Sequence, residues 1–328
     1  MIALGIESTA DNLGIGIVSS DKKIYSNIIE VHVPPEGGIH PREAARHHSD
    51  KMGETLHKAL DVAELSADEL DVIAFAQGPG LGPCLRTGAT SARALASYIE
   101  KPLVGVNHCI AHVEIGRMAT GAVDPLTLYV SGGNTIVSGY ESGRYRIFGE
   151  TLDIAVGNCL DSFAREAGLK YPGGPDIERL ARMGQKLIPL PYVVKGMDLS
   201  YSGLLTSIIS EFRTEKYSIQ DLCFSLQETA YAMLGEVTER ALAHTGKPEL
   251  LLTGGVAANK RLSGMVMEIA EEHGAHPHIV PIKLAADNGA MIAWTGLVAY
   301  EAGLRTPVEH SYVNPSWRMD QVEIPWRK

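Results

Sequence analysis

Four cysteines, Cys84, Cys109, Cys159 and Cys223, are all that this 328-residue chain carries. They lie far apart and none forms a C-x-x-C pair, which excludes a disulfide framework and a cysteine zinc site and fits a reducing cytoplasm. No apolar run approaches the roughly 20 residues of a membrane span. The opening Met1-Ile2-Ala3-Leu4-Gly5-Ile6-Glu7 has no cationic head and meets a carboxylate at once, so it is not expected to be a signal peptide. Positive charge is also short: 29 Lys and Arg against 39 Asp and Glu leave a formal net charge of −10. Such a chain is no general polyanion binder, and any nucleic acid must meet a local basic patch or a partner. What is plentiful is glycine, 34 residues, which points to tight turns and close backbone approaches. The length suggests about two globular domains.

No repeat is visible residue by residue, but the order of elements repeats. Alternating apolar positions predict strands over Ile2–Glu7, Leu13–Val18 and Ile24–Val31. A helix over Pro41 to about Val62, a strand Val72–Ala76, a helix Thr87–Ile99 and a strand Leu103–Val106 follow. The second half has strands Leu126–Val130, Thr135–Tyr140 and Arg144–Phe148, then helical stretches Gly157–Ala167 and Ile219–His244. It closes with strand Leu250–Leu252, helix Asn259–His273 and strand His278–Ile282. Each half thus reads β-β-β-α-β-α-β-α, an α/β fold duplicated into two lobes around a cleft, over 1–124 and 125–328. Breaks around Pro172–Pro175 and Pro189–Tyr192 suggest an insertion near 157–245, and Ser311–Lys328 suggests an ordered tail. A single large α/β domain is the competing arrangement.

Ligands in α/β sheets sit beyond the carboxyl ends of the strands. Ser131-Gly132-Gly133-Asn134 follows the first strand of the second half, where amide N–H groups and a hydroxyl suit phosphate; a hairpin turn uses the same residues. Thr253-Gly254-Gly255-Val256-Ala257-Ala258-Asn259 offers close approach to a base or ribose, or a plain strand-to-helix turn with an Asn cap. Asp161 and Glu178 flank Gly173-Gly174 as acceptors for ribose or base, or as surface acids. His108 and His112 are i and i+4, on one face of a helix. The matching place in the second half holds Asp287, and two imidazoles with one carboxylate suit Fe(II) or Zn(II). Arg42, Arg46, Arg86, Arg93, Arg144 and Arg146 offer a basic edge.

Asn107-His108-x-x-x-His112, Ser131–Asn134, Thr253–Asn259 and Asp287-Asn288-Gly289 together resemble the universal tRNA threonylcarbamoyladenosine (t6A) transferase family. The resemblance is closest to the archaeal/eukaryal branch, the catalytic subunit of the KEOPS complex. It extends to Gly37–Ala44 and Gly78–Pro83 and covers nearly the whole chain. It implies the duplicated actin/Hsp70/sugar-kinase (ASKHA) fold and transfer of threonylcarbamoyl from its adenylate to N6 of the adenosine 3′ of the tRNA anticodon. It further implies a metal at His108, His112 and Asp287, with Tyr129 as a possible ligand. An adenine nucleotide would be held by Tyr129, Val130, Ser131, Gly132, Gly133, Asp161, Gly174, Glu178 and Asn259. The turn Glu7–Asn12 varies between branches, and Asp11 is its candidate general base. Implied partners are tRNA and KEOPS-type subunits, including a small atypical kinase/ATPase, in the cytoplasm. A small-molecule kinase of the same fold, a metallopeptidase suggested by the histidine pair, and a nucleotide-binding scaffold without turnover are the competing functions.

Overall fold

A computed structural model describes residues 1–34 and 38–327. Gly37 of the first glycine motif and the terminal Lys328 lie outside the described residues. The chain forms two compact units. One contains Met1–Ala119, Glu141–Tyr145 and Asp287–Lys328; the other contains Thr120–Tyr140 and Arg146–Ala286.

In the first unit, β1 (Ile2–Glu7), β2 (Asn12–Ser19) and β3 (Ile24–Val31) form an antiparallel meander. Then come α1 (Pro41–Ala63), β4 (Val72–Gly78), α2 (Gly82–Tyr98), β5 (Leu103–Asn107) and α3 (His108–Thr120). The sheet order is β3-β2-β1-β4-β5, with β1, β4 and β5 parallel. β4 is apolar almost throughout because both of its faces are covered. Its core gathers Leu4, Ile6, Leu13, Ile15, Ile17, Phe75 and Leu103.

The second unit repeats the plan with β6 (Leu126–Val130), β7 (Thr135–Glu141) and β8 (Arg144–Glu150). Then come α4 (Val156–Glu166), α5 (Gly174–Ala181), the short hairpin β9 (Val194–Lys195) and β10 (Asp198–Leu199), α6 (Ser202–Arg213) and α7 (Ile219–Thr245), more elements than the single α-helix, α1, between the strand triplet and β4 in the first unit. Then come β11 (Glu249–Thr253), α8 (Lys260–Glu272), β12 (His276–Ile279) and α9 (Ile282–Ala285). The sheet order β12-β11-β6-β7-β8 is the first sheet's order with new members. β6, β11 and β12 are parallel, and β6 and β7 antiparallel.

Two expected boundaries move. Helix α2 begins at Gly82, five residues early, because Pro83 sits in its first turn, where a missing N–H costs nothing. Strand β12 covers His276–Ile279 rather than His278–Ile282; Pro281 cannot extend the ladder and instead precedes α9.

The last helix, α10 (Gly289–Glu301), follows the second repeat in sequence, yet it packs on β1, β2 and β4 of the first sheet. The division expected at 124/125 therefore does not describe Asp287–Lys328, which joins the first unit. The contact is backbone against backbone. A Cβ on Gly16 would lie 2.2 Å from the Ala290 nitrogen, and one on Gly5 would lie 2.1 Å from the Ala293 nitrogen. Replacing Gly16 with Val should therefore cost about 3 kcal/mol or more by overpacking, read as a lowered urea midpoint. Gly264, mid-helix in α8 with open space where its Cβ would go, is the control. Gly264→Ala should stabilise by about 0.5–1 kcal/mol.

Candidate metal centre and nucleotide-binding loops

Because β1, β4 and β5 are parallel, their carboxyl ends share one edge of the sheet. β1 ends at Glu7. β5 ends at Asn107 and runs into α3 without a loop. Asn107 secures the junction: its Oδ1 accepts from Ile110 N–H at 3.2 Å and its Nδ2 donates to the Trp317 carbonyl at 3.0 Å. His108 and His112 then project from one face of α3, with ring centroids 4.7 Å apart. Asp287 stands just before α10, whose first turn Asn288 caps by accepting from Met291 N–H at 3.0 Å. The α10 packing brings the Asp287 Oδ1 to 3.0 Å from His112 Nε2 and 3.5 Å from His108 Nε2.

The three donor atoms lie within 4.8 Å of one another. With metal–ligand bonds of about 2.0–2.1 Å, tetrahedral donors sit about 3.4 Å apart. The observed spacings and the two-nitrogen, one-oxygen set therefore fit a divalent cation. The expectation that Asp287 comes from the opposite half is corrected: all three donors belong to the first unit.

Burial opposes charge on His108, but the carboxylates of Glu7 and Asp287 outweigh it and push the imidazole up to about 9. His112 moves down, because burial outweighs its bond to Asp287. For Asp287, burial works against ionisation, yet His108 and His112 hold the carboxyl down at about 2. Without a cation, the His108 imidazolium turns one N–H toward each of two acids, Nδ1 toward Glu7 and Nε2 toward Asp287. Asp11 lies half-buried in the turn between β1 and β2, and its carbonyl accepts from His32 N–H at 2.9 Å. The carboxylate that reaches His108 is Glu7, at 3.0 Å from Nδ1, a residue the sequence reading gave no role.

The expected nucleotide residues all fall in the second unit. Contacts join them into a ring. The Ser131 carbonyl accepts from Gly157 N–H at 3.2 Å, so the first turn of α4 abuts the Ser131–Asn134 turn. One turn along α4, Asp161 accepts from Gly173 N–H at 2.7 Å, beside Gly174 at the start of α5. Glu178 on α5 accepts from Lys260 N–H at 3.2 Å. Asn259 caps α8 through Arg261 and Leu262 N–H, and its amide donates to Gln227 at 3.0 Å. Gly254, with φ of 96°, passes so close to Val130 that a Cβ would meet the Val130 carbonyl. Gly132 and Gly133 face open space.

Two details amend the reading. The Gly133 and Asn134 N–H groups donate to Ser131 Oγ, so a phosphate would have to compete with that hydroxyl. Tyr129 is fully buried in β6, with its hydroxyl near Ser131 Oγ and Asn134 Nδ2. Gly157 was missed; its signal was a glycine at the first turn of a helix with no capping side chain. Of the arginines, Arg42, Arg46, Arg86 and Arg146 are exposed. Arg93 instead grips the tail, donating to Ser311 Oγ and carbonyl, and Arg144 pairs with Glu323 at 3.0 Å.

A family profile described as tRNA N6-adenosine threonylcarbamoyltransferase (TsaD) matches residues 22–294. The chain belongs to the TsaD family. A tRNA N6-adenosine threonylcarbamoyltransferase of Thermococcus kodakarensis is 57% identical over 99% of this chain and 100% of its own length. One from Archaeoglobus fulgidus is 55% identical with the same coverage. A probable bifunctional tRNA threonylcarbamoyladenosine biosynthesis protein of Methanobrevibacter smithii is 56% identical, and there the match spans 60% of the longer protein. Among solved structures, T. kodakarensis HypF aligns with a TM-score of 0.66 over 92% of this chain and 48% of its own, at 16% identity. The activator of the 2-hydroxyisocaproyl-CoA dehydratase from Clostridium difficile aligns at 0.57 over 92% and 97%, at 12% identity. These two likenesses establish the ASKHA-like fold of the TsaD chain and no more.

Two measurements follow. In chelated protein the folded state keeps the His108 proton up to about 9, whereas the unfolded chain loses it near 6.5. The stabilisation is complete below 6.5 and gone once pH passes 9. The melting temperature of metal-free protein should fall across that window, and His108→Gln should flatten the fall. In the second unit, a Cβ on Gly157 would lie 2.5 Å from the Ser131 carbonyl oxygen. Gly157→Ala should weaken AMP binding in calorimetry while leaving cation binding unchanged.

Proposed function

We propose that this chain transfers the threonylcarbamoyl group of threonylcarbamoyl-AMP to the N6 amine of the adenosine 3′ of the tRNA anticodon, forming t6A. The observation that carries this reading is the meeting of His108, His112 and Asp287, the last two 175 residues apart, in a chain of the TsaD family.

The donor is a mixed anhydride of a carbamate and AMP, so AMP is a fair leaving group. The acceptor is an aromatic amine, neutral at pH 7 and weakly nucleophilic. Positioning and charge are therefore the difficulty. Two imidazoles and one carboxylate with open positions favour Fe(II), and Zn(II) suits them too. Such a cation, when bound, supplies Lewis acidity toward a carbonyl oxygen. His108, His112 and Asp287 would hold it. The Ser131–Gly133 turn and the start of α4 receive the adenylate phosphate, where backbone N–H groups and the helix dipole favour an anion. Asp161 and Glu178 are acceptors for ribose hydroxyls, and Gly174 and Asn259 line the same ring. Asp11 is the candidate acceptor of the amine proton.

The acidic chain leaves tRNA to the exposed Arg42, Arg46, Arg86 and Arg146 and to basic surface on partner subunits of the KEOPS type, one of them a small atypical kinase/ATPase. Among the described residues no helix is long and apolar enough to cross a membrane, and a cytoplasmic site of action suits a tRNA substrate.

The His108→Ala/His112→Ala double variant should retain its far-ultraviolet circular dichroism and lose threonine incorporation into tRNA by at least 100-fold. Full incorporation by that variant with no metal bound would exclude the reading. Binding of tRNA should weaken steeply with salt and strengthen when partner subunits are added.

A further inference from the structure

We propose that Glu7 is a positioning residue for the metal site: its buried carboxylate takes the Nδ1 hydrogen of His108 and so commits Nε2 to the cation. The inference rests on the metal reading of His108, His112 and Asp287, and it concerns a residue outside that donor set.

Glu7 is fully buried at the end of β1. Its Oε2 lies 3.0 Å from His108 Nδ1. Its Oε1 accepts from Thr9 N–H at 2.7 Å and from the Thr9 hydroxyl. Thr9 gives both of its donors to Oε1, which sets the group as an acceptor, and Oε2 stands where it receives the Nδ1 hydrogen of His108. With Nδ1–H committed there, Nε2 is the nitrogen left for a cation. The remaining nitrogen, Nε2, faces the Asp287 Oδ1, and His112 presents its own Nε2 to the same oxygen. Two like nitrogens thus point toward one place.

The arrangement follows from the sheet. Glu7 closes β1, His108 follows β5, and both strands run parallel to β4. Thr9 locks the carboxylate through two bonds, so the imidazole is held against a fixed wall and not a swinging side chain. Carboxylates behind ligating histidines are a recurrent means of fixing ring orientation and raising ligand basicity, and their loss typically costs 10–100-fold in metal affinity.

The test uses the full-length chain with Co(II) as probe, titrated in competition with a chromophoric chelator and read also by its visible absorption. Glu7→Ala should bind Co(II) 10–100-fold more weakly and with an altered spectrum. Glu7→Gln, which keeps the shape but loses the charge, should fall between that variant and the parent. Thr9→Ser, which keeps the hydroxyl, should match the parent. A purely structural Glu7 would lower the melting temperature with and without Co(II) and leave the affinity and spectrum unmoved; that result overturns the proposal. If Glu7→Ala does not fold, Glu7→Gln carries the same comparison, and parent-like affinity in it overturns the proposal. Failure of the unsubstituted chain to bind Co(II) would overturn the metal reading as well, whereas parent binding with indifferent Glu7 variants overturns this inference alone.

Discussion

The close seating of α10 on β1 and β2 is the contact on which the site depends. Gly5, Gly14 and Gly16 on the strands meet Gly289, Ala290 and Ala293 on the helix with no side chain between the two backbones. Such a fit leaves the helix little freedom to slide. Asp287 stands immediately before it, so its carboxylate is fixed relative to the same sheet whose other strands carry Glu7 and His108. The candidate metal donors are aligned by a shared scaffold, although they are scattered along the chain.

Much of this was legible beforehand. The repeated triplet of strands followed by crossovers was readable as an order of elements in both halves, because apolar alternation and turn residues mark such strands clearly. The histidine pair and Asp287 were legible from helical spacing and from the repeat. What was not legible was which sheet α10 joins. Its thirteen residues include ten buried ones and no amphipathic stripe, so the sequence carries no sign of a preferred face. Small residues on both partners were the signal, but they are informative only once the two surfaces are known to meet. Arg93 was equally hidden. An arginine on a helix gives no warning that its guanidinium is engaged by a tail more than two hundred residues later.

The acid excess is not only a surface property. Three carboxylates gather at α3 within the first unit: Glu7 and Asp287 beside the histidines, and Glu114 on the helix itself, two residues past His112. Glu114 accepts from the Tyr145 hydroxyl at 2.6 Å and pairs with Arg117 at 2.7 Å, and Arg327 donates to the same tyrosine oxygen. Burying a charge is costly unless it is paired, and each of these acids is. The two near the histidines need a positive partner between them, which a proton on His108 or a cation can be. The one farther along has its positive partner built into the chain.

The tail has a consequence for how the protein matures. Asn107, the residue before His108, is tied to Trp317, and the carbonyls of Ser311 and Tyr312 are held by Arg93 and Gln77. The histidines are synthesised well before the acid, 175 residues past His112, and before the brace, 210 residues past Asn107. Until Asp287 has been made, the two histidines lack the acid that completes the set, so the three side chains cannot come together from the first half of the chain alone.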